Sequence, residues 1–70
     1  MLTAELVRVV LRLGDTNYVE LSGERQLVHV EYGGFPFWRL FHTGTLTRFF
    51  NADEDLNAWF AEHPDVELSQ

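Results

Sequence analysis

Seventy residues are enough for one small domain, and we expect residues 1–70 to form a single one. The chain has no cysteine, which excludes disulfide bonds and thiolate metal sites. Eleven acidic residues against five arginines give a net charge of −6, which opposes direct binding to nucleic acid or to an anionic membrane. No segment has the pattern of a signal peptide or a membrane span, so we expect a cytoplasmic protein.

The first predicted element, residues 6–13, allows two interpretations. As a strand, it alternates apolar residues with two arginines. As a helix, it has polar residues at spacings of three and four that would form one stripe, namely Glu5, Arg8, Arg12 and Asp15, and Gly14 would cap its end. Its three valines favour the strand, which is the expectation we adopt, with the helix as the alternative.

A hairpin is predicted next. Residues 18–22 and 26–32 both alternate, and the loop Ser22-Gly23-Glu24-Arg25 joins them. With this loop, Val19 and Leu21 share a face with Val28, Val30 and Tyr32, whereas Glu20, His29 and Glu31 point the other way. Gly33 and Gly34 then interrupt the pattern.

A second hairpin follows, with residues 37–42 and 45–50 on either side of Thr43-Gly44. One face of its first strand carries Phe37, Arg39 and Phe41, and the other carries Trp38, Leu40 and His42. Both faces are substantially apolar, which suggests that both are at least partly covered. We expect most of the large residues here and in the next helix to be core: Phe35, Trp38, Leu40, Phe49, Phe50, Trp59 and Phe60.

A helix is predicted over residues 52–62. Asn51 fits the N-cap, Glu54 stands three residues later as in a capping box, and Pro64 ends the helix. Apolar residues recur at helical spacing in Leu56, Trp59 and Phe60. The tail that contains Val66 and Leu68 is either a last edge strand or frayed. The predicted fold class is therefore α+β: an antiparallel meander of four or five strands with one C-terminal helix packed on a face of the sheet.

No pattern indicates catalysis, a metal or a cofactor. His29, His42 and His63 lie on three separate predicted elements without the spacing of a metal site. Asp53, Glu54 and Asp55 are clustered, but negative charge at a helix start is ordinary stabilisation of the helix dipole. We therefore expect no enzyme activity, no catalytic residue, no bound metal and no cofactor.

The aromatic face suggests a function in binding. One helix covers only one face of a sheet, so Phe37, Arg39 and Phe41 would remain on the other, and aromatic residues beside an arginine are typical of interface hot spots. We expect a small acidic interaction module, an accessory subunit or an inhibitor of the kind that phages and mobile elements make. It would bind another protein, such as a basic or nucleic-acid-binding one, or form a homodimer. The alternative is an acidic inhibitor that mimics nucleic acid through Asp53, Glu54 and Asp55.

Overall fold

The computed structural model describes residues 1–69, which form a helix, a four-stranded antiparallel sheet and a second helix. The strands lie in the sheet in chain order, β1-β2-β3-β4. The elements are α1 (Ala4–Gly14), β1 (Tyr18–Leu21), β2 (Arg25–Tyr32), β3 (Phe35–His42), β4 (Thr45–Phe50) and α2 (Asp53–Glu62). The α+β class and the antiparallel meander are confirmed, whereas the expectation of a single helix is incomplete. Within residues 1–69, neither helix has the length and apolar character needed to cross a membrane.

The strand expected over residues 6–13 is wrong, because this segment is the middle of α1. The side chain of Thr3 accepts a hydrogen bond from the backbone N–H of Leu6 and caps the start of the helix. Ala4, Val7 and Leu11, at spacings of three and four, are buried against the rest of the core. This packed stripe and the N-cap outweigh the strand preference of the valines, which is weak and depends on context.

The loop between β1 and β2 determines which residues share a face. Leu21 pairs with Arg25 across a loop of three residues, not the four we expected. A change of one residue in register moves every side chain of a strand to the other face. Val19 therefore pairs with Leu27, and the expectation that it shares a face with Val28 is wrong.

Both helices pack on the same side of the sheet, which we call the helix side. Trp38, Phe50 and Phe60 are the largest fully buried side chains. The core joins α1, α2 and the helix side of every strand into one cluster: Leu2, Ala4, Val7, Leu11, Val19, Leu21, Leu27, Trp38, Leu40, Phe50, Leu56, Trp59, Phe60 and Val66. The other side of the sheet is not covered by any element of residues 1–69.

The second helix starts later than its sequence suggests. Its N-cap position is Ala52, which has no side-chain cap, so the expected cap at Asn51 is wrong. The acidic first turn is present as expected, and the helix ends with His63 as the C-cap before Pro64.

The tail after α2 lies along the free edge of β1. Ser22 donates its backbone N–H to the carbonyl of Glu67, and Ser69 donates to the carbonyl of Glu20. Leu21 and Leu68 form an isolated bridge, so the tail is paired at one point without becoming a fifth strand.

Candidate interaction surface

The side of the sheet away from the helices is a largely apolar surface, which we call the open face. Its members follow from the strand register, because residues that pair directly across an antiparallel sheet point to the same side. They are Tyr18, Glu20, Gln26, Val28, Val30, Tyr32, Phe35, Phe37, Arg39, Phe41, Leu46 and Phe49. Among residues 1–69, this is a surface of four strands with only two charged side chains.

Arg39 lies in the middle of the open face. It pairs with Val28 on β2 and with Phe49 on β4, and Val28 in turn pairs with Tyr18 on β1. The central carbon of its guanidinium is 5.5 Å from the ring centres of both Phe37 and Phe49. Two cation–π contacts therefore hold this side chain against the sheet.

No hydrogen-bond acceptor in residues 1–69 reaches the Nε atom of Arg39, although that atom is buried. The ion pair found within the described chain is Arg8 with Asp53, on the opposite side of the sheet. A guanidinium is planar and always charged, and it bonds a carboxylate in bidentate fashion. Arg39 is thus positioned by two rings, and because its Nε is buried, a carboxylate from outside would have to bond the terminal nitrogens, for which no ion pair is found within residues 1–69.

The three residues predicted to bind a partner are brought together on the open face. Phe37, Arg39 and Phe41 alternate along β3, and all three are half-buried. Phe41 pairs with Gln26 on one side and with Leu46 on the other. Strand alternation alone was enough to place these three on one surface.

Phe49 is the important residue that the sequence reasoning missed. It was expected in the core, yet it is 55% exposed and contacts Arg39 on the open face. The register of β3 and β4 shifts at Leu40, which pairs with Arg48, whereas Phe41 pairs with Leu46. Thr47 is the extra residue, as in a β-bulge, and its hydroxyl donates to the carbonyl of Leu40.

The bulge decides which aromatic residue of β4 enters the core. Without it, Trp38 would pair with Phe49, and Phe49 would be the buried one. With it, Trp38 pairs with Phe50, which is 1% exposed. Phe35 was also expected in the core, and it is 76% exposed beside the turn between β2 and β3.

The acidic residues of the alternative site have different surroundings. Asp53 accepts hydrogen bonds from Nε and Nη2 of Arg8 and from Nε1 of Trp38. The hydrogen bonds from Arg8, helped by the one from Trp38, lower the pKa of Asp53. Glu54 and Asp55 are exposed in the first turn of α2. Two of the three carboxylates are thus free to meet a partner.

The three histidines remain apart in the fold. His29 lies against Trp38, with ring centres 4.6 Å apart, and burial lowers its pKa. His63 stacks on Trp59 at 4.1 Å, and His42 ends β3. No group of three or more potential metal ligands occurs within residues 1–69.

A depression lies at the end of α1. It is lined by Arg8, Arg12 and His29, but Asp15 also lies on its wall. The charge of Arg8 is already matched by Asp53. The charge of Arg12 therefore faces the opposite charge of Asp15, and the depression has little net attraction for an anion.

Comparison of the chain with protein-family models, curated proteins and solved structures finds no match.

Proposed function

We propose that this protein is a small acidic, non-enzymatic interaction module that binds another protein molecule through the open face. The observation that carries the proposal is the clamped arginine at the centre of an apolar four-stranded surface. Arg39 is held between Phe37 and Phe49, and Phe41 extends the surface toward the other end of β3.

The composition of the open face supports binding over mere exposure to water. Free monomers rarely expose contiguous apolar patches larger than a few hundred Å². Tyr18 is 44% exposed and Leu46 is 39% exposed, and they lie on opposite edge strands. The apolar surface therefore extends from one edge of the sheet to the other. Aromatic and arginine side chains at the centre of such a surface are the residues that most often dominate binding energy.

The alternative function is inhibition by mimicry of nucleic acid. Its carriers would be Glu54 and Asp55, since Asp53 already bonds Arg8 and Trp38. Binding by exposed carboxylates would weaken steeply as salt is added, whereas binding by a desolvated aromatic centre would depend far less on salt.

A photocrosslinking residue at position 41 tests the proposal in cells of the source organism, with position 62 on α2 as the control site. We expect position 41 to crosslink to a defined protein species, either another protein or a second copy, and position 62 not to. Affinity for that species is then measured for Phe37→Ala/Phe41→Ala and for Glu54→Gln/Asp55→Asn. We expect the first variant to weaken binding by tenfold or more and the second to change mainly its salt dependence. Normal binding by a folded Phe37→Ala/Phe41→Ala variant, with loss in the acidic variant, would replace this proposal by mimicry.

A further inference from the structure

We propose that the molecule covering the open face is a second copy of this chain, in a two-fold dimer in which Arg39 of each copy pairs with Glu20 of the other. This inference rests on the proposed function, because it names the partner of the same surface. A two-fold interface requires a surface that is complementary to itself. The open face meets this requirement in its charges, in the positions of those charges and in its size.

The acidic residues of the chain lie mostly outside the open face, so two acidic chains repel each other least there. Glu20 is the one acidic side chain among the paired residues of the open face, and Glu24, in the loop between β1 and β2, borders that face in a depression shared with Gln26 and Phe41. The other nine acidic residues are not on these strand positions: Glu5, Asp15, Glu31, Asp53, Glu54, Asp55, Glu62, Asp65 and Glu67. The paired residues of the open face, with Arg39 as their one cation, have no net charge. Two chains of net charge −6 can therefore approach each other here with less repulsion than on any acidic face.

Glu20 is held in place for such a pairing. Gln26 lies directly opposite it on β2 and donates a hydrogen bond of 3.0 Å from Nε2 to its Oε2 atom. No other hydrogen bond to this exposed carboxylate is found within residues 1–69, so its remaining acceptor sites are open to a donor from a second molecule. Arg39 is matched to it in charge, and no ion pair of its guanidinium is found within residues 1–69.

The positions of the two residues allow two equivalent pairs. Glu20 lies on β1 and Arg39 on β3, two strands apart. Across the sheet, Glu20 is in line with Gln26 and Arg39 is in line with Val28, and these two lines of paired residues are neighbours on the open face. Strand spacing of ~4.8 Å and a same-face repeat of ~6.8 Å place them about 12 Å apart. Consider a two-fold axis that lies in the plane of the interface, passes over β2 midway between the two residues and is perpendicular to the line that joins them. This axis brings Arg39 of each copy onto Glu20 of the other.

The surface has the size of a small interface. The two central strands have eight residues each and the edge strands have four and six, so spacings of ~4.8 Å between strands and ~3.4 Å per residue give the sheet a flat area of about 420 Å². The relief of the side chains makes the accessible area larger than this, toward the ~800 Å² per partner of a standard interface.

Sedimentation velocity from micromolar to near-millimolar concentration tests the proposal on the full chain. We expect a concentration-dependent dimer. Glu20→Arg and Arg39→Glu should each raise the dimer dissociation constant by tenfold or more, because each places like charges opposite one another. The double variant Glu20→Arg/Arg39→Glu should restore dimerisation to within about threefold of wild type, because the pair is re-formed with its signs exchanged. Arg12→Glu, which changes the net charge as Arg39→Glu does but on α1, should have little effect.

Circular dichroism melts establish that each variant is folded. Glu20 is exposed, so Glu20→Arg tests the pairing even if Arg39→Glu unfolds the chain. A strictly monomeric wild type overturns the proposal, as does a dimer that Glu20→Arg leaves unchanged or that a folded double variant does not restore. These failures differ from failure of the proposed function. A monomer that still crosslinks from position 41 to another protein loses the dimer and keeps the interaction surface.

Discussion

Nε1 of Trp38 donates a 3.0 Å hydrogen bond to Oδ1 of Asp53, which joins the centre of the sheet to the first turn of α2. The same oxygen accepts a 2.8 Å bond from Nη2 of Arg8 on α1. One carboxylate thus connects both helices to the most buried aromatic side chain of the sheet, whose exposure is 0%. This role differs from the stabilisation of the helix dipole that we expected for Asp53.

Asp53→Ala should destabilise the fold by about 2 kcal/mol, because it leaves the buried N–H of Trp38 without an acceptor. Asp53→Asn keeps an acceptor and removes the charge, so it should cost only about 0.2–1 kcal/mol, the usual range for an exposed ion pair. Asp55→Ala is the matched control, since it removes an acid from the same helical turn without touching Trp38 or Arg8. Urea unfolding at pH 7 measures all three. An equal loss in Asp53→Ala and Asp55→Ala would contradict this role of Asp53.

The contribution of Asp53 should depend on pH. Hydrogen bonds from Arg8 hold the pKa of Asp53 below its ordinary value in the folded chain. Its stabilising effect is therefore complete above the unfolded pKa of ~3.9 and is lost as the pH falls through the lower folded pKa. The difference in unfolding free energy between wild type and Asp53→Asn should shrink below about pH 4. Urea unfolding at several pH values from neutral to strongly acidic measures it, and a difference that stays constant over this range would contradict the assignment.

His29 should make the stability of the fold depend on pH in a less acidic range than Asp53 does. Burial against Trp38, helped by the charge of Arg8, lowers the pKa of His29, although Glu31 and Asp53 oppose the shift. Between the lowered folded pKa and the unfolded value of ~6.5, the unfolded chain binds more protons, so stability falls as the pH falls. His29→Phe should remove this part of the pH dependence, whereas the control His42→Gln, at an exposed position, should keep it. Unchanged pH dependence in His29→Phe would show that another group is responsible.

Alternation within one strand could be predicted from the sequence, because it needs no knowledge of the neighbouring strands. It placed Phe37, Arg39 and Phe41 on one face and Trp38 and Leu40 on the other, as the register requires. The first helix could not be assigned in this way. Its residues alternate in sequence and also form a helical stripe, and only packing of Val7 and Leu11 against the core decides between the two.

The neighbours of Arg39 could not be predicted, because they depend on two one-residue features of the backbone. A loop of three residues in place of four moves Val28 to the open face, and the bulge at Thr47 moves Phe49 there. The hydrophobic pattern is compatible with either register, because two apolar residues are adjacent in each strand concerned. These are Leu27 and Val28 in β2 and Phe49 and Phe50 in β4. The contacts of Phe37 and Phe49 with the guanidinium of Arg39 can therefore be identified only once the pairing of the strands is known.

Thr43→Asn should stabilise the fold by about 0.5–1 kcal/mol. Thr43 and Gly44 form a two-residue turn between His42 and Thr45, and both have positive φ, at 51° and 83°. A β-branched residue is strained in this region, whereas Asn-Gly is the preferred sequence of such a turn. The control Thr45→Asn, in extended backbone, should be neutral or slightly destabilising. Thermal unfolding measures both, and an unchanged or lower melting temperature for Thr43→Asn would show that the turn is not strained by threonine.

Trp59→Ala should cost about 3–5 kcal/mol, the range for removal of a buried aromatic side chain. Trp59 is 5% exposed and lies between the ring of His63, stacked at 4.1 Å, and the guanidinium of Arg25 at 5.7 Å. Such a loss approaches the whole stability of a small domain, so Trp59→Phe, which retains a ring and should lose less, is measured beside it. Phe35→Ala, at a 76% exposed position, is the control and should change the unfolding free energy by no more than ~0.5 kcal/mol. If urea unfolding gives Trp59→Ala the same stability as Phe35→Ala, Trp59 does not join α2 to the sheet, and the packing of that helix must rest on Leu56 and Phe60 alone.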